Sequence, residues 1–64
     1  MSLAISPVRF AVNDRKFLLV PRRRPRFPWT PGYFMFEEVQ GTAFYLLGWF
    51  ATETDARREA ALWT

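Results

Sequence analysis

The chain has 64 residues, half of them apolar and 19% aromatic, with no cysteine and no histidine, and it carries a net charge of +3. That is enough for one small domain, and it excludes a disulfide framework, a Cys/His zinc site, a Cys or His nucleophile and an imidazole base. Most metalloenzyme and covalent-enzyme chemistry goes with them, so a non-enzymatic binding domain is expected, without metal, cofactor or small-molecule substrate.

The charge is asymmetric. Residues 1–32 hold seven basic side chains and one acid, Asp14, whereas residues 33–64 hold two basic side chains and five acids. Arg9, Asp14, Arg15 and Lys16 interrupt the first twenty residues, so no signal peptide is expected. The longest apolar run, 43–51, is nine residues against the roughly twenty of a membrane span. The expectation is a soluble, cytoplasmic protein with no membrane partner.

Taken in chain order, residues 8–20 read as a β-hairpin. Val8, Phe10 and Val12 alternate with Arg9 and Ala11, and Asn13-Asp14 tolerates the positive φ of a tight turn. Pairing across that turn sets Val8 against Leu19 and Phe10 against Phe17 on a buried face, with Arg9, Ala11, Lys16 and Leu18 on a wetter one. Residues 21–32 carry Pro21, Pro25, Pro28 and Pro31, which remove backbone donors and fix φ, so a stiff, extended, basic connector is expected there. Its Phe27 and Trp29 give it apolar surface to press onto the domain.

A second hairpin is expected from Tyr33 to Val39 and from Thr42 to Ala51, around Gln40-Gly41, with Gly41 in the left-handed position. The later strand is apolar on both sides, with Phe44, Leu46 and Phe50 expected on one face and Ala43, Tyr45, Leu47 and Trp49 on the other. Such a strand is usually central and covered twice. Thr52 then reads as a helix N-cap for the amide of Asp55, with Glu53 and Asp55 in the positive first turn. Ala56, Ala60 and Trp63 form a narrow apolar stripe, and Glu53 and Arg57 form an i,i+4 pair. The whole chain, 1–64, therefore reads as a single α+β domain: a small antiparallel sheet of three to four strands, in two hairpins, packed by one C-terminal helix. One helix covers one face of a sheet. The other must be met by the proline segment, a second copy or a partner.

The stretch Arg22-Arg23-Arg24-Pro25-Arg26-Phe27-Pro28-Trp29 carries the most chemistry. Guanidinium groups contact phosphates and interleaved rings stack on bases, so Arg22, Arg23, Arg24, Arg26, Phe27 and Trp29 are the candidate nucleic-acid-binding residues. An acidic protein surface would also attract this charge, and a solubilising loop pinned by its own rings is the plainer reading. Arg22-x-x-Pro25-x-x-Pro28 has polyproline-ligand spacing, but an ordered connector accounts for the prolines without a reader domain. Glu37 and Glu38, adjacent on a strand, face opposite ways and make no acid/base pair.

Residues 45–60, with Leu47, Gly48, Phe50, Thr52, Ala56 and Ala60 as the matching positions, resemble the end of the three-strand-plus-helix DNA-binding domains of the ethylene-response-factor type and of the arm-site-binding domains of phage integrases. Arg24-Pro25-Arg26 and Trp29 are similar to the basic, Trp-bearing opening of that domain, so the likeness spans residues 22–63. The resemblance implies a sheet that enters the DNA major groove, with Arg and Trp side chains on phosphates and bases. Residues 33–51 contain Glu37 and Glu38 and no Lys or Arg, so the implied DNA contacts fall only on Arg22, Arg23, Arg24, Arg26 and Trp29.

Two functions follow as expectations. The first is a nucleic-acid-binding module using the arginine and aromatic arm. The second is a small inhibitor or adaptor, of phage or mobile-element type, that seats Tyr45, Leu47 and Trp49 on a protein partner or on a second copy in a homodimer.

Overall fold

A computed structural model describes residues 6–27 and 29–63 of the chain. Four strands, β1 (Val8–Val12), β2 (Arg15–Pro21), β3 (Tyr33–Val39) and β4 (Ala43–Phe50), are followed by one helix, α1 (Glu53–Leu62). The strands pair antiparallel in the order β1-β2-β3-β4, so each neighbours the next in sequence. The expected α+β architecture of two hairpins and a C-terminal helix is the one observed.

The first hairpin has the expected register, with Val8 opposite Leu19 and Phe10 opposite Phe17. Asn13 takes φ 56°, the left-handed conformation that the tight turn requires. In the second hairpin Gly41 is left-handed at φ 71°, and Gln40 joins it at φ 56° while Thr42 N–H donates to the Val39 carbonyl at 3.3 Å.

Three expectations are corrected. The strand read as central, 43–51, is β4 at the edge of the sheet, and β2 and β3 are the central pair. Its apolar content is only partly covered: Phe44, Tyr45 and Leu46 are exposed, and Leu47 and Phe50 pack against the core. Second, the pairing steps from Met35 opposite Gly48 to Phe36 opposite Leu46, which leaves Leu47 as an extra residue on β4. This β-bulge inverts the alternation beyond it. Trp49 therefore shares a face with Phe44 and Leu46, opposite Phe34, Phe36 and Glu38, whereas Phe50 shares one with Ala43 and Tyr45.

The third correction concerns the connector, which doubles back instead of running extended. Arg22 N–H donates to the Gly32 carbonyl at 3.0 Å and Arg24 N–H to the Thr30 carbonyl at 2.9 Å, so the β2–β3 hairpin continues into a loop tip. Pro25 and Arg26 are the central residues of a turn closed by Phe27 N–H on the Arg24 carbonyl at 3.1 Å, with Arg26 at φ 69°. Proline at the first central position and positive φ at the second define a type II turn. The described donors that hold the loop belong to Arg22, Arg24, Phe27 and Thr30, so Pro25 sits at a turn position that needs no amide.

The helix lies across β2, β3 and β4. Thr52, extended at φ −133° and ψ 157°, caps it by accepting from Asp55 N–H at 3.1 Å. Ala56 and Ala60 are fully buried against Phe17, Leu19 and Met35, since a methyl group lets the helix axis come close to the sheet. Trp63, expected in the same stripe, is the C-cap and stays 38% exposed. The alanines leave β1 uncovered. Arg57 fills that side, its guanidinium 4.6 Å from the Phe10 ring, which stacks on Phe17 at 5.3 Å. Arg57 also pairs with Glu53 at 2.8 Å, as its spacing predicts. Among the described residues no helix is long and apolar enough to cross a membrane.

Candidate nucleic-acid interface

The arginine loop is held by Trp49. Its indole Nε1–H donates to the Arg22 carbonyl at 3.1 Å, and its ring lies so close to the Gly32 backbone that a β-carbon there would collide with Cζ2. The same β-carbon would stand 2.6 Å from the Phe50 carbonyl oxygen, so admitting it forces backbone as well as the indole to shift. Gly32 is thus a glycine because the loop base approaches an indole ring too closely for a side chain. The Arg24 guanidinium sits 5.6 Å from the Trp49 ring and 4.8 Å from the Phe27 ring, bridging loop base and loop tip by cation–π contacts.

At the tip, Phe27 and Trp29 meet edge to face, with centroids 5.5 Å apart and planes at 88°. Trp29 is 71% exposed and Phe27 42% exposed. Large rings this open to water on an ordered loop are a feature of binding surfaces rather than of cores. Arg22, Arg24 and Arg26 are exposed and pair with no carboxylate among the described residues. Arg22 bonds the Pro21 carbonyl at 3.0 Å, which orients its guanidinium without neutralising it. The structure therefore gathers Arg22, Arg23, Arg24, Arg26, Phe27 and Trp29 on one loop.

The three residues expected to form a partner surface are not brought together. Tyr45 is exposed on the helix side of the sheet, Leu47 is the bulge residue packed against the core, and Trp49 stands on the opposite face anchoring the loop. Their even spacing would place them together in a regular strand, and the bulge is what separates them. In the sequence a glycine next to a proline signals only a turn, so the close approach of Gly32 to Trp49 leaves no local mark.

The carboxylates on the sheet are neutralised. Arg15 grips Glu37 through two bonds, Nε to Oε2 at 2.7 Å and Nη2 to Oε1 at 2.6 Å, and its Nη1 donates to the Trp63 carbonyl at 2.6 Å. Hydrogen bonding to this guanidinium holds the Glu37 carboxyl below the usual carboxylate range. On the other face Arg9 pairs with Glu38 at 3.0 Å. Glu37 and Glu38 thus point to opposite sides, each to its own arginine. Among the described residues no group of three or more acidic side chains stands close enough to hold a metal ion.

No protein-family model, curated protein or solved structure matches the chain. Between residues 22 and 63 the described fold has two strands, β3 and β4, and the helix α1.

Proposed function

We propose that this is a cytoplasmic, non-enzymatic nucleic-acid-binding module whose contact element is the 22–30 loop. The observation that carries this reading is the loop itself: Arg22, Arg24 and Arg26, unpaired with any described carboxylate, stand beside an exposed Trp29 and Phe27 on a loop whose base is tied to the sheet through Trp49. Arg22, Arg24 and Arg26 meet backbone phosphates, and the tip aromatics stack on or wedge between bases. Fixing the loop in advance lowers the ordering cost that a flexible basic arm bears on binding.

Fluorescence anisotropy with a labelled oligonucleotide across a salt series tests it. Replacing Arg22, Arg23, Arg24 and Arg26 by Ala together weakens binding, and the slope of log affinity on log salt falls by about 0.7–0.9 for each phosphate that the variant no longer neutralises. Absence of binding by the wild-type chain at low salt overturns the proposal.

A second reading rests on β4, an edge strand with Phe44, Tyr45 and Leu46 exposed and no charged residue along its length. Such an edge is a template for pairing with another chain. Under this reading Tyr45→Ala abolishes a protein complex or a dimer, while loop arginine changes alter only association rate.

A further inference from the structure

The sheet face opposite α1 carries no helix, and its composition differs from that of an ordinary docking patch. Phe34 and Phe36 stand two residues apart on central strand β3, and Phe44 lies beside them on β4, across from Glu38. Two residues along a strand span about 6.8 Å, roughly twice the stacked rise of one DNA strand. That is the interval of bases splayed apart, not of bases in a duplex stack.

The charge on this face is cationic at both ends. Its one carboxylate among the described strand residues, Glu38, is already held by Arg9. Lys16, the residue opposite Glu38 on β2, makes no ion pair among the described residues. At the far end the same face runs into Trp49 and the arginine loop. An apolar floor of phenylalanines between two cationic margins suits a ligand that is anionic along its length and offers flat aromatic surface between its charges.

Resting on the nucleic-acid reading, we infer that this face is a platform for single-stranded nucleic acid, with bases stacked on Phe34, Phe36 and Phe44 and the backbone running from Lys16 towards the arginine loop. A duplex does not suit it, because its bases are already stacked. Four strands at about 4.8 Å also span roughly 14 Å between outer axes, wider than the major groove of about 12 Å. The aromatic floor then supplies sequence-tolerant stacking, and the loop supplies the phosphate contacts.

The test compares one labelled 12-nucleotide sequence as a single strand and as a duplex, by anisotropy with the intact chain at low salt. The single strand is expected to bind at least about tenfold more tightly. Phe36→Leu and Phe44→Leu keep apolar volume but remove the ring, and each is expected to weaken single-strand binding about tenfold. Native thermal melts confirm that each variant folds, and Phe44, 44% exposed and outside the core, remains informative if Phe36→Leu does not fold. Equal or tighter duplex binding, or unchanged single-strand affinity in folded Phe44→Leu, overturns the platform while leaving the loop reading intact. Failure of the wild-type chain to bind either ligand overturns the two together. A dimer in light scattering that Phe44→Glu dissociates assigns the face to a second copy and also overturns the platform.

Discussion

The two faces of the sheet are made from similar residues and meet different fates. On the helix side Phe17, Leu19 and Met35 are sealed by Ala56 and Ala60, whereas on the other side Phe34 and Phe36 are half-buried and Phe44 and Leu46 are open. What separates them is the cover: two alanines one turn apart bring a helix backbone onto one face, and among the described residues no second helix treats the other alike. The comparison teaches that apolar content in a 64-residue chain does not by itself mark core. A domain this size hides only about 60% of its unfolded surface, so rings beyond what one helix can seal stay partly open to water.

The largest effect that can break this comparison is on stability. Leu19→Ala removes a fully buried side chain and is expected to cost about 2–5 kcal/mol. At roughly 4–8 °C per kcal/mol for a domain of this size, that loss threatens folding altogether. Phe36→Leu on the half-buried face is expected to cost less than about 1.5 kcal/mol. Thermal melts of the two variants measure this, and equal losses would mean that the faces are equally part of the core.

Next in size is Gly32→Ala. The new methyl group meets both the Trp49 ring and the Phe50 carbonyl, so a cost of about 1–3 kcal/mol is expected, together with a loosened loop. Limited trypsin digestion should then cut at Arg22, Arg23 and Arg26 faster than in the wild type, relative to Arg57 and Arg58 on the helix. Undiminished protection would show that Trp49 does not hold the loop.

The hairpin turns, the first register and the helix cap were legible because each is a local rule: Asn13 before a returning strand, Thr52 three residues before Asp55, Ala56 and Ala60 on one helical face. The loop's doubling back was not, because four prolines signal only where donors are missing and not which remaining amides find carbonyls across the loop. Nor was the face of Trp49. One extra residue at Leu47 reverses every side chain beyond it, and a bulge opposite Met35 and Phe36 leaves no local mark in an unbroken apolar run. The basic segment was legible as chemistry from its composition. Its anchor was not, because Gly32 and Trp49 are seventeen positions apart and meet only once β3 and β4 pair.

A smaller effect is expected at Gln40, which holds φ 56° without glycine's freedom. Gln40→Asn suits the left-handed region better and should stabilise the fold by a few tenths of a kcal/mol to about 1 kcal/mol. Gly41→Ala at φ 71° should lose about 1–2 kcal/mol. Denaturant melts with unchanged slope test both, since the variants act on a turn outside either face.

The smallest effect distinguishes the faces by pH. Glu37 lies on the helix side, where Arg15 ties it to the helix end through the Trp63 carbonyl, and its carboxyl is held below the usual range by that guanidinium. A carboxylate with a lowered folded-state pKa contributes stability that is fully present above its unfolded value, about 4.3, and is lost as pH falls through the folded value. Thermal melts from pH 7 to pH 2 should therefore show the wild type losing more than Glu37→Gln below about pH 4. At neutral pH the variant should be the less stable, because Arg15 then has only a neutral amide to hold. Convergence of the two chains in acid is the signature that the pair closes the helix side; parallel curves across the whole range would show that the Arg15 contact to the helix end holds without the Glu37 charge.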